Sequence, residues 1–225
     1  MQFDSTIKHF CVLLTALCFL FAVPGSSARP VYPKDEAKKD PSLVAFRRQL
    51  ISAVDRKDGK YISSILHAKV LAGLGGGVGK ADFEREWDLA DKNSPFWTKF
   101  KFAITHGGYF EEKSMETKFT APYAIFFFPD EDGTDTETER AVVMQTGVPL
   151  RSMPNDTAPA VTTLNYDLVK IADAGNKDKW VGIQTADGKK GYLPGALLIR
   201  QTSPYAEFEK RNGKWSLVWF GTASP

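Results

Sequence analysis

Near the carboxyl end, Asn212-Gly213 stands between two runs that alternate apolar and polar residues, Tyr205 to Arg211 and Lys214 to Phe220. Asn-Gly is the strongest two-residue hairpin signal, because a tight turn between twisted strands needs positive φ at both central positions, and it sets the pairing register. Lys210 is expected opposite Trp215, Phe208 opposite Leu217 and Ala206 opposite Trp219. That places a largely apolar ladder on one side and Glu207, Glu209, Ser216, Arg211 and Lys214 mainly on the other. A lone hairpin is marginal in water, so the apolar side must cover another part of the chain.

The parts it can cover lie far upstream. Ser42 can cap a helix whose apolar residues Leu43, Phe46, Leu50, Ile51 and Val54 form one stripe; Asp58-Gly59 ends it, and Tyr61, Ile62, Ile65 and Leu66 make a shorter stripe. Gly73 to Gly79 breaks regularity, Phe83, Trp87 and Leu89 share a helical face, and Ser94-Pro95 opens a helix with Phe96, Trp97, Phe100, Ala103 and Ile104 inward. Ala124 to Phe128, bounded by Pro122 and Pro129, reads as a buried strand. With only one obvious companion before residue 140 it cannot make a sheet, so the terminal hairpin supplies the missing strands and residues 141–200 become an insertion.

That insertion reads as short, punctuated strands. Val148 to Pro154 is a strand closed by proline, Val161 to Ile171 follows the Asn155-Asp156 turn, and the chain turns again at Gly175-Asn176. Trp180-Val181-Gly182-Ile183 alternates, Asp187-Gly188 marks a hairpin, and Gly191-Tyr192-Leu193 returns toward Ala196-Leu197-Leu198. Leu150, Arg151, Ser152, Pro154, Trp180, Val181, Gly191 and Tyr192 together resemble the bacterial Src-homology-3 family; Asp167 stands where that family usually has glycine. The resemblance implies a small closed β-barrel of about sixty residues and a peptide- or peptidoglycan-binding role in the cell envelope. Helices followed by a curved sheet ending in Gly213-Lys214-Trp215 look like the nuclear transport factor 2-like fold, and the whole resembles exported bacterial proteins of undetermined activity.

Compartment is read from the amino terminus. Lys8 and His9 precede an apolar core from Phe10 to Val23, and Pro24-Gly25-Ser26-Ser27-Ala28 supplies the small residues a signal peptidase accepts, with cleavage expected after Ala28. Cys11 and Cys18 both lie in that segment, so the mature chain is expected to lack disulfides, thiol catalysis and a membrane anchor, and to be periplasmic or secreted. A formal net charge of +2 leaves no electrostatic footprint for nucleic acid.

No catalytic set stands out. Gly73 to Lys80 lacks the phosphate-loop spacing, having Leu74 where glycine is needed and Ala81 where a hydroxyl is needed, and so reads as a plain loop. No Gly-x-Ser-x-Gly, His-Glu-x-x-His or calcium-loop order is present, so neither metal nor cofactor is implied. His67 and His106, with Asp82, are the residues that could line a cleft in the helical part, although a histidine near a helix carboxyl end is favourable for dipole reasons alone. Tyr166, Trp180 and Tyr192 either shape a groove for a peptide or glycan or fill the barrel interior.

The expected molecule is therefore α+β, with helices packed on a small curved antiparallel sheet and an inserted all-β Src-homology-3-like barrel. Its divisions are a signal peptide at 1–28, a mobile leader at 29–41, an α+β domain at 42–129 plus 204–222, a linker at 130–140 and the barrel at 141–200. The expected role is a non-enzymatic exported interaction protein whose partner is a cell-wall peptide, peptidoglycan or an envelope protein. The alternative is a small enzyme or small-ligand binder using a cavity in the α+β domain.

Overall fold

Pro41 occupies the first position of the first helix, where its missing N–H costs nothing, and Asp40 accepts a hydrogen bond from Ser42 N at 2.8 Å. The computed structural model describes residues 30–111, 117–128, 139–173 and 179–222. The segment expected as a signal peptide with its two cysteines, most of the expected linker with Glu131, Asp132, Asp135 and Glu137, and the expected Gly175-Asn176 turn lie outside the described residues. Helix α1 is Pro41–Asp55 and buries Leu43, Leu50, Ala53 and Val54. Asp40 is thus the cap in place of Ser42, whose hydroxyl instead accepts from Trp215 Nε1 at 3.0 Å. Helix α2 (Gly59–Ile65) is capped by Asp58, α3 is Lys80–Trp87, and α4 (Phe96–Thr105) buries the five apolar residues expected of it.

A strand the helical periodicity concealed follows α2 directly. Strand β1 (Leu66–Leu71) lies parallel to β12 (Lys214–Gly221), which pairs antiparallel with β11 (Tyr205–Arg211), then β3 (Thr117–Ala121) and β2 (Tyr109–Phe110). Lys210 faces Trp215 and Phe208 faces Leu217 as the turn chemistry requires. A bulge beyond Phe208 then shifts the register, so Glu207 faces Trp219 and Ala206 faces Phe220 rather than Trp219. Phe220 consequently enters the core with no exposed surface, and Trp219 turns to the opposite face of the sheet. The third partner of the hairpin is β3, not the run Ala124 to Phe128. Pro122 has no N–H to continue a ladder, and the chain turns there, leaving Phe126 and Phe127 54% and 43% exposed.

The second sheet runs β10-β4-β7-β8-β9-β5-β6, from β4 (Arg140–Val143), β5 (Val148–Arg151), β6 (Ala160–Leu164), β7 (Leu168–Asp173), β8 (Trp180–Gln184), β9 (Lys190–Pro194) and β10 (Leu198–Arg200). It is not a closed barrel, which overturns the expected architecture of a small antiparallel sheet carrying an inserted barrel. Among the described residues there are two open sheets, of five and seven strands, and the first is mixed. Closure would need β6 to meet β10. Strand β10 has three residues, and its Ile199 packs with Val142 against Tyr123 and Ala124 of the first part instead. The inner face holds its own core of Val148, Leu150, Leu164, Val169, Val181, Ile183, Leu193 and Leu198. At the β6–β7 turn the left-handed residue is Tyr166, φ 60°, so Asp167 needs no glycine-like backbone.

The segment 29–41 was expected as a mobile leader with nothing to bury, but its described part before α1, residues 30–40, is docked. Val31 N donates to Tyr166 O at 2.8 Å, Asp35 bridges to Gly108, and Ala37 is fully buried. Glu36 is buried too, accepting from Phe110 N at 2.9 Å and from Lys39 and Lys34 at 2.6 and 2.9 Å. Burial alone would raise this carboxyl, but those three donors outweigh it and hold it down to about 2.

Two outcomes follow from this packing. Phe220→Ala removes a ring surrounded by Trp87, Phe96 and Phe100, and should cost about 3–5 kcal/mol in urea-induced unfolding. Because the folded carboxyl of Glu36 titrates below its ordinary value of 4.5, its stabilisation is complete above that value and is lost as pH falls from there toward about 2. Glu36→Gln should therefore lower stability at neutral pH by about 1–3 kcal/mol and flatten the acid limb of the stability curve, read by thermal unfolding between those pH values.

Candidate functional site

Side chains of paired strands alternate between faces, so the register of β8 and β9 decides what the aromatic residues can do. Trp180 pairs with Pro194 and Gly182 with Tyr192, which puts Trp180 and Tyr192 diagonally on one face with Gly182 between them. Gly182 also pairs with Asp173, and Tyr192 with Arg151, extending the row across four strands. A Cβ at Gly182 would lie 2.9 Å from Asp173 Cβ and only in ordinary contact, 3.4 Å, with Tyr192 Cε1, so it is the approach of Asp173 that calls for glycine there. Arg151 Nη1 donates to Ala158 O at 2.9 Å, which holds the guanidinium toward the β5–β6 turn. Val181 and Leu193 fill the interior, while Trp180 and Tyr192 stay half-buried on the outward face.

Tyr166 does not join them. It sits at the β6–β7 turn with its ring edge-on to Tyr32 at 5.7 Å, so the chain's own amino-terminal segment lies against it.

His67, Asp82 and His106 stand on separate elements. His67 lies on β1 and its Nδ1 accepts from Lys69 N at 3.1 Å. Asp82 lies in the first turn of α3, paired with Arg85 and packed against Gly77 of the glycine loop. That loop is held structurally, with Gly79 N donating to Val70 O and Gly73 so close to Gly221 that a Cβ on Gly221 would lie 2.4 Å from Gly73 Cα. His106 ends α4, its Nδ1 2.7 Å from Phe102 O, and lines a cleft of about 260 Å³ with Lys34, Asp35 and Tyr123. Burial raises the Tyr123 phenol to about 12. Where a ligand cup was expected between helices and sheet, Phe96, Phe100, Phe208 and Phe220 are all buried in ring contact. Among the described residues no group of three or more His, Cys, Asp or Glu could hold a metal ion.

A cluster that the sequence reading missed lies on the outer face of the five-stranded sheet. Lys118 Nζ reaches Glu207 at 2.8 Å and Glu111 at 3.7 Å, and Thr120 donates to Glu111 at 2.9 Å. Tyr205 stacks on Trp219 at 5.4 Å and meets Phe126 at 5.2 Å, and Tyr109 meets Phe127 at 5.5 Å. Burial raises the Glu207 carboxyl against the pull of Lys118, with Glu111 and Glu209 adding to the rise. Burial also raises both phenols, helped by Glu111 and Glu207, Tyr205 to about 12 and Tyr109 further. The signal that could have shown this face is the alternation of Lys118 and Thr120 with Phe119 and Ala121; the bulge that brings Trp219 to it leaves no mark in the sequence.

No described helix is long and apolar enough to cross a membrane. No family model, no curated protein and no solved structure matches the chain.

Proposed function

We propose that the chain is a non-enzymatic, exported interaction protein that holds a peptide of the cell envelope, such as the stem peptide of peptidoglycan, against the outward face of β8 and β9. The observation that carries this reading is the placement of Trp180 and Tyr192 diagonally on one outward face beside side-chain-free Gly182, with Arg151 on the adjoining strand. Aromatic faces give apolar area at little rotamer cost, and an arginine on the adjoining strand suits the carboxylates of such a peptide. Strand β6 adds a second support, because it is an edge with Ala160, Val161 and Thr163 exposed and no charge along it. Edges of that kind accept an extended chain by backbone pairing. The envelope class itself comes from the resemblance to bacterial Src-homology-3 domains. An enzyme built on His67, Asp82 and His106 has less support, since the three lie on different elements.

The test is co-sedimentation of residues 29–225 with purified peptidoglycan, comparing wild type with Trp180→Ala/Tyr192→Ala. Retention should fall at least about tenfold in the double variant while thermal unfolding stays cooperative. Equal retention of the two proteins, or none by wild type, defeats the reading.

A further inference from the structure

A groove of about 490 Å³ lies between the first two helices and the tip of the terminal hairpin, in the size range of small-molecule sites. One wall is a single stripe of α1, Ser42, Phe46 and Gln49, and the facing wall is a stripe of α2, Tyr61, Ser64 and Ile65. Gly213 to Ser216 closes one end, held there by the hydrogen bond from Trp215 Nε1 to Ser42 Oγ at 3.0 Å and by the stacking of Trp215 on Phe46 at 6.5 Å. Phe46, Tyr61 and Ile65 are half-buried, so each keeps apolar surface within reach of a ligand. Gln49 is exposed, and among the described residues its amide meets only Tyr61 Oη, at 3.5 Å. That distance is the outer edge of a hydrogen bond, so the phenol and the amide both keep capacity for a better partner. Ser64 Oγ donates to Tyr61 O at 2.7 Å and keeps its lone pairs. Lys214, exposed at the mouth, is the one charged residue of the lining.

We infer that this groove binds a neutral oligosaccharide, the C–H face of one sugar against Phe46, Tyr61 and Ile65 and its hydroxyls on Gln49, the Tyr61 phenol and Ser64. A charged ligand is disfavoured, because it would give up hydration with nothing to match its charge beyond one solvated lysine. A purely apolar ligand is disfavoured too, since it would cover the amide and the phenol without replacing the hydrogen bonds they make to water. A sugar presents both kinds of surface on one ring, C–H groups on its faces and hydroxyls around its edge, which matches an apolar floor with a neutral polar rim. The groove is built on other elements than the β8–β9 face and stands whether or not that face binds peptide.

Chitotriose and maltotriose, neutral trisaccharides of N-acetylglucosamine and of glucose, are the probes, each compared with its permethylated form, which keeps the C–H faces but has no hydroxyl donor. Saturation-transfer NMR on the expected mature chain, residues 29–225, reads which sugar protons touch the protein, and a titration gives the affinity. At least one of the two sugars should saturate and bind at least about tenfold more tightly than its permethylated form, with an affinity that added salt leaves unchanged. Tyr61→Phe, which removes only the hydroxyl, and Gln49→Leu should each weaken that sugar about fivefold while thermal unfolding stays cooperative. The Trp180→Ala/Tyr192→Ala variant should bind the sugar as wild type does, which separates this site from the β8–β9 face. Absence of saturation by both sugars overturns the inference, as does equal binding of the permethylated form, wild-type affinity in both Tyr61→Phe and Gln49→Leu, or loss of the sugar in the β8–β9 variant.

Discussion

Phe220 is the contact on which the remaining structure depends. Its ring lies 4.8 Å from Phe100, 5.3 Å from Phe96 and 4.6 Å from Trp87, tying the last strand to α3 and α4. Strand β12 sits between β1 and β11, so residues as far apart as Ala37 and Phe220 share one core. Non-local burial of this kind is paid for by loop-closure entropy, and it is affordable because the intervening residues fold on a core of their own. The Asn212-Gly213 turn keeps the two terminal strands in register while they close over the helices.

The two parts meet through a smaller apolar contact. Tyr123 and Ala124 cover Val142 and Ile199, with Val31, Phe102, Met144 and Leu168 around them. Using that face of β4 and β10 for docking leaves the same face of β8 and β9 turned outward, which is where Trp180 and Tyr192 lie. The segment 30–40 closes the junction from the other side, with Glu36 clamped by Lys34, Lys39 and the Phe110 amide. One arrangement thus sets the openness of the second sheet, the exposure of its aromatic pair and the order of the amino-terminal segment.

Legibility in the sequence followed the range of the interaction. The stripes of α1 and α4, the turn at Asn212-Gly213 and the alternation in β8 and β9 are decided by neighbours a few residues away, and they can be read directly. Strand β1 could not be read, because Leu66 continues the helical period of Tyr61, Ile62 and Ile65 and its pairing partner lies near the carboxyl end. Ala124 to Phe128 misled for a related reason, since apolar residues in a turn resemble a buried strand until the neighbouring surfaces are known. The docked segment 30–40 was hidden by its charge, because Glu36 becomes a buried residue only where Lys34, Lys39 and Phe110 converge.

Sequence alone therefore determined the helices, the terminal hairpin, the division of apolar and polar faces along β8 and β9, and the absence of a recognisable catalytic motif. Tertiary structure alone decided that the second sheet stays open, that Trp219 leaves the core for the carboxylate cluster, and that Tyr166 meets Tyr32 rather than Trp180. The physical reason is that backbone preference and hydrophobic period are local, whereas a one-residue bulge or the choice of docking face is settled by surfaces that meet only after the chain has closed.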